Sequence, residues 1–173
     1  LSSYRFSIAW PRIQPQGRGR ANLKGLDYYS RLTDALLAEG IRPFPTLYHW
    51  DLPQALEDAG GWPHRDTAGR FSDYAEIMIS TLGDRIQDWV IFNEPAVFTS
   101  HGYYLGTHAP GRTGLDDLLR ACHTVNLAQG LAFAAMKATR SDCFIGTAHS
   151  MSPCDPAGDH EADEEAAERW HGL

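Results

Sequence analysis

Short aromatic and β-branched stretches alternate along the chain with longer stretches whose apolar residues recur at helical spacing, and this order limits the possible folds more than any other feature. The strand-like stretches are Tyr4–Trp10, Arg42–Trp50, Trp89–Phe92 and Phe144–Ser150. Trp89–Phe92 is an unbroken apolar run, which reads as a strand buried on both faces. The first helix follows an Asn22 N-cap, carries Leu26, Tyr29, Leu32, Leu36 and Leu37, and stops at Gly40. The second is capped by Asp66 or Thr67, carries Phe71, Tyr74, Ile77, Met78 and Leu82, and breaks at Gly83. The third opens on a Thr113/Asp116 capping box. Its face is traced by Leu115, Leu118, Leu119, Cys122, Val125, Ala132, Phe133 and Met136, with Gln129 as the polar exception. A fourth begins in acidic residues at Glu161. The connections are Pro11–Ala21, Leu52–Pro63 with room for one helical turn, and a long loop, Pro95–Gly114.

A β-α-β-α order requires parallel strands and right-handed crossovers. No glycine-rich phosphate loop follows any strand, which argues against a nucleotide-binding doubly wound sheet. The remaining α/β architecture is a (β/α)8 barrel, of which four strands are half. Residues 1–173 are therefore expected to be part of one barrel, truncated at both ends, with open sheet edges that favour poor solubility in isolation. A net charge of −7 and a pI near 5.5 argue against a nucleic-acid partner. No apolar run reaches membrane-spanning length, so no membrane partner is expected. Cys122, Cys143 and Cys154 share no CxxC spacing and read as free thiols, which suggests a reducing, cytoplasmic location.

In a barrel the C-terminal strand ends share one rim. Here they offer Arg5 and Trp10, then His49, Trp50 and Asp51, then Asn93 and Glu94, then His149 and Ser150. Pro95 disfavours the helical region for the residue before it, so Glu94 is expected to be extended at the lip of its strand. Indoles to stack on a pyranose, an amide and an imidazole to bond its hydroxyls, and a carboxyl group to protonate a leaving oxygen together make a sugar site. His49, Asp51 and Glu94 are also possible metal ligands, but no HExxH spacing accompanies them, and neither a metal nor another cofactor is expected. The GxSxG turn of a serine hydrolase is absent. Trp10 and Trp62 read as packing residues, Asp51 as a holder of loop backbone, and His108 as a residue that fixes its loop. Asp163, Glu164 and Glu165 read as a solvated helix face.

The segments YRFSIAWPRI, GLDYYSRLTDALLAEGIRPFPTLYHWDLPQAL, GGWPHRDTAGRFSDYA, FNEP and GTHAPG closely resemble family 1 of the glycoside hydrolases, the β-glucosidase family. The resemblance implies a (β/α)8 barrel, of which this chain covers roughly the second to fifth β/α units. It also implies retaining hydrolysis of β-glycosides, with a β-glycoside or small oligosaccharide as substrate. Glu94 would be the general acid/base and Asn93 would bond the sugar 2-hydroxyl. His49 would bond a hydroxyl further round the ring, with Trp50 beside it. Arg5 would lie next to the nucleophile carboxylate and help keep it ionised; a plain buried ion-pair partner is the other reading of Arg5.

Retention requires a second carboxylate about 5–5.5 Å from the first. In the family it lies in a T/S-E-N-G motif, which this sequence lacks. The chain is therefore expected to need the remainder of the same barrel and to be inactive alone. The alternative is a non-catalytic sugar-binding or truncated remnant protein. Many members carry Trp after the NEP motif where this chain has Ala96, a change on the leaving-group side.

Overall fold

Each strand after the first pairs with the strand that precedes it in sequence. The computed structural model describes residues 1–171. Its four strands, β1 (Ser3–Ser7), β2 (Arg42–Tyr48), β3 (Asp88–Asn93) and β4 (Phe144–Ala148), form one sheet in the order β1-β2-β3-β4. Every pairing is parallel, with Arg5 opposite Phe44, Thr46 opposite Val90 and Trp89 opposite Ile145. This is the order required of consecutive staves in a barrel. Around the sheet lie α1 (Trp10–Ile13), α2 (Leu23–Ala38), α3 (Gln54–Asp58), α4 (Asp66–Leu82), α5 (Pro95–Tyr103), α6 (Leu115–Thr139) and α7 (Glu161–His171).

Trp89 through Phe92 are buried, as the unbroken apolar run requires. Against the upper part of β3 packs an aromatic layer of Tyr48, Trp62, Phe71, Phe98 and Trp10. Phe71 stacks on Phe92 with centroids 4.7 Å apart, and Tyr48 meets the edge of Trp62 at 5.3 Å. Trp10 and Trp62 are fully buried, so they pack rather than bind. The Tyr74 hydroxyl, also buried, lies 2.9 Å from the Leu47 carbonyl and 3.2 Å from that of Ile8, so one phenol ties the tip of β2 to the residue just past β1.

Asn22 caps α2 by accepting from the Lys24 amide at 3.2 Å, and Gly40 follows that helix at φ +68°. Several other sequence expectations are corrected. β1 stops at Ser7, and Trp10 begins a four-residue helix with Pro11 at its first turn, where a missing N–H is harmless. β2 and β4 end at Tyr48 and Ala148, two residues early. The stretch Pro95–Gly114 is a loop only in its second half, because Pro95 starts α5. Neither proposed cap forms. Arg65 precedes α4 without a side-chain bond, Thr67 instead bonds the Gly61 carbonyl at 2.6 Å, and Gly114 rather than Thr113 opens α6.

The buried face of α6 differs most from expectation. It consists of Ala121, Thr124, Val125, Ala128, Ala132 and Met136, while Leu115, Leu119 and Phe133 are exposed. Small residues let α6 approach α4 closely, so bulk was a poor guide to which side faces inward. Gln129 reaches Thr147 on β4 at 2.9 Å, which explains a polar side chain beside that face.

Candidate active site

Three strands deliver one hydrogen-bonded group. From β1, Arg5 donates through Nε to Thr46 Oγ1 at 3.0 Å and through Nη2 to Asn93 Oδ1 at 2.7 Å. Asn93 Nδ2 lies 3.2 Å from His49 Nε2, and His49 Nδ1 lies 3.1 Å from Ser7 Oγ. Asn93 is buried, whereas Arg5 and His49 are open to solvent. The β3–β4 ladder shifts register between Val90 and Asn93. Val90 and Arg5 line the same cleft on the sheet. Strict alternation from Val90 would turn Asn93 to the other face, and the irregularity brings it back toward Arg5.

The His49 imidazole, though exposed, is held below its ordinary pKa of 6.5, first by partial desolvation and then by the Arg5 charge, against an opposing pull from Glu94. Asp51, two residues on, is pushed up to about 6 by burial, while its own backbone N–H and Arg12 oppose the rise. Among the described residues no carboxylate pairs with Arg5. His149 and Ser150 lie past the end of β4, are exposed, and do not join the group.

Glu94 is half-buried and is not extended. It sits at φ 48° and ψ 64°, in the left-handed region. Pro95 excludes the right-handed helical conformation but not this one, and Glu94 is the residue just before α5. Trp50 is the only other residue besides glycines with positive φ among the described residues, at 80°. Two strained residues at adjacent strand ends point to a functional site. Trp50 donates from Nε1 to the Asn93 carbonyl at 3.0 Å, and the Glu94 amide donates to the Ala148 carbonyl at 2.7 Å.

Behind Trp50 stands the loop after α5. His108 packs at 5.2 Å from the Trp50 ring and stacks on His101 at 4.7 Å, as expected of a residue that fixes its loop. Arg112 anchors the far end, bridging Glu57 Oε1 at 2.5 Å, while Tyr103 donates to Glu57 Oε2 at 2.8 Å.

The whole chain, residues 1–173, matches the model of Glycosyl hydrolase family 1. The chain belongs to glycosyl hydrolase family 1. It is 48% identical over 173 residues to Beta-glucosidase A of Acetivibrio thermocellus, covering 100% of this chain and 39% of that protein. It is 42% identical over 171 residues to Beta-glucosidase A of Thermotoga maritima, covering 99% of this chain and 38% of that protein. The solved family 1 β-glucosidase from Thermotoga maritima superposes with a TM-score of 0.96 over 99% of this chain and 38% of that one. The chain thus spans under two-fifths of the length of these relatives, and its four β/α units are part of a family 1 (β/α)8 barrel.

Against that family frame, the structure brings together Arg5, His49, Trp50, Asn93 and Glu94 from three successive strand ends. Reading the sequence missed Thr46, Ser7, Glu57 and Arg112, which hold these groups and their loop in place. Thr46 and Ser7 had a signal available, since each lies close along its strand to a singled-out residue. Glu57 and Arg112 had none, because 55 residues separate them.

Proposed function

We propose that the full-length family 1 protein containing this chain hydrolyses β-glycosides with retention, and that Glu94 is its general acid/base. The observation that carries this reading is Glu94 itself, a half-buried carboxyl group in a left-handed turn at a strand end, flanked by the Arg5–Asn93–His49 group. The relatives named β-glucosidase add support, as do Thermotoga maritima structures in complex with isofagomine lactam and with deoxynojirimycin.

In the first step Glu94 gives its proton to the departing glycosidic oxygen while a carboxylate from the rest of the barrel attacks the anomeric carbon. In the second, Glu94 accepts a proton from the water that releases the sugar. Asn93 and His49 bond ring hydroxyls. Arg5 already spends Nε and Nη2 on Thr46 and Asn93, and its positive charge is left to hold the attacking carboxylate ionised. The chain by itself supplies the acid and not the nucleophile, and is inactive toward glycosides.

In the full-length protein, Glu94→Gln should lower kcat/KM on an alkyl β-glucoside by roughly 100- to 10,000-fold. An unchanged rate would remove Glu94 from the reaction.

A further inference from the structure

The proposed role of Glu94 raises the question of what fixes its direction, and the answer lies in a single peptide group. The carbonyl of Asn93 and the amide N–H of Glu94 belong to the same peptide plane. The N–H donates to Ala148 O at 2.7 Å on β4. On the opposite side β2 has already ended at Tyr48, so no strand backbone remains to serve the carbonyl. The Trp50 indole N–H takes that place, at 3.0 Å.

We propose that Trp50 is a positioning residue for the acid rather than a sugar-binding one: its indole N–H and the Ala148 carbonyl grip the Asn93–Glu94 peptide from both sides and hold the left-handed turn that aims Glu94. Indole has one hydrogen-bond donor and no acceptor. That donor is already engaged with main chain, so none is left for a sugar hydroxyl. The ring is wedged between His49 at 5.2 Å and His108 at 5.2 Å, and its own backbone is held at φ 80°. A left-handed Glu before proline is costly for an ordinary side chain and persists only where its surroundings impose it. Removing the indole N–H removes one of the two restraints and leaves the Asn93 carbonyl without a partner.

The inference rests on Glu94 being the acid, and the leaving group gives a readout that general damage does not share. A glycoside with a good leaving group, such as 2,4-dinitrophenolate, departs without protonation, whereas an alkoxide needs the acid. In the full-length protein, Trp50→Phe should lower kcat/KM for an alkyl β-glucoside by on the order of 100-fold, the loss that follows a small misplacement of a reacting group. For the 2,4-dinitrophenyl glucoside kcat/KM, which reports only the first step, should change by less than about threefold, while kcat and KM fall together because the water step still needs Glu94 as base. Replacing Trp50 with benzothienylalanine, which keeps the bicycle and removes only the N–H, should give the same selective loss and covers the case in which Trp50→Phe fails to fold. Equal losses of kcat/KM on both substrates, or a raised KM with kcat unchanged, would overturn the positioning role. Glu94→Gln run alongside separates the two ideas. If Glu94→Gln remains active on the alkyl glucoside, the acid assignment fails; if it is silent while both Trp50 variants keep full activity, only the positioning role fails.

Discussion

Arg5 donates through Nη2 to Asn93 Oδ1 at 2.7 Å, and this contact settles which way round the Asn93 amide lies. A guanidinium has no acceptor, so the atom facing it is oxygen. The amide nitrogen therefore faces His49 Nε2 at 3.2 Å, that ring nitrogen accepts, and the proton sits on Nδ1 toward Ser7 Oγ at 3.1 Å. A charge on β1 thus fixes a tautomer just past β2 through an amide on β3.

The first prediction concerns that relay. Partial desolvation and then Arg5 hold His49 below 6.5, so below that pH the folded protein binds fewer protons at His49 than the unfolded chain does. His49 therefore stabilises the fold near neutral pH, and that contribution is lost as pH falls through its folded pKa. Arg5→Met should move the His49 midpoint up toward its ordinary value and replace one ring tautomer with a mixture. Nitrogen NMR of the imidazole reads both quantities; an unmoved midpoint would dissociate Arg5 from His49.

Asp51 has the opposite sign. Its carboxyl group is held at about 6 against an ordinary 3.8, mainly by burial. Between those values the folded state holds the proton longer than the unfolded chain, so stability falls as pH rises through this window. Asp51→Asn should therefore gain on the wild type between pH 4 and pH 7 in urea denaturation. Parallel curves across that range would place the carboxyl group in solvent.

Gly61 sits at φ +68°, and a Cβ there would run into the Glu57 carboxylate that Arg112 and Tyr103 share. Gly61→Ala should cost roughly 2–4 kcal/mol, from left-handed strain plus a disturbed charged hydrogen bond. Gly40, at the same φ but facing open space, is the control. Gly40→Ala should cost only about 1–2 kcal/mol. Equal melting shifts would mean that the Glu57–Arg112 bridge yields freely.

Tyr74→Phe removes the hydroxyl that lies within hydrogen-bond reach of the Leu47 and Ile8 carbonyls and leaves buried acceptors short of a donor. A loss of about 1–3 kcal/mol is expected in denaturant titration, with the ring packing against Trp10 retained. No loss would show that water reaches those carbonyls.

The alternation of elements was legible because apolar periodicity tracks burial directly: Trp89–Phe92 and the Phe71–Tyr74–Met78 face lie where the pattern places them. The α6 face was read only in part: Val125, Ala132 and Met136 are buried as expected, but Ala121 and Ala128 carry little hydrophobic signal, and their small size is what permits close helix packing. The five site residues were visible as strand-end chemistry. Their mutual arrangement was not, because it depends on a register irregularity after Val90 and on positive φ at Trp50 and Glu94, neither of which residue type announces.

Each ladder in this sheet joins segments far apart along the chain. Arg5 meets Thr46 across 41 residues and Asn93 across 88, and Asn93 meets His49 across 44. Every such closure costs chain entropy before any contact compensates it, which makes sheets of this kind slow to form. The helices can begin to order locally, but the Asn93 amide and the His49 imidazole have no neighbours until the intervening crossovers have closed, so this cluster is among the last features the polypeptide assembles as it folds.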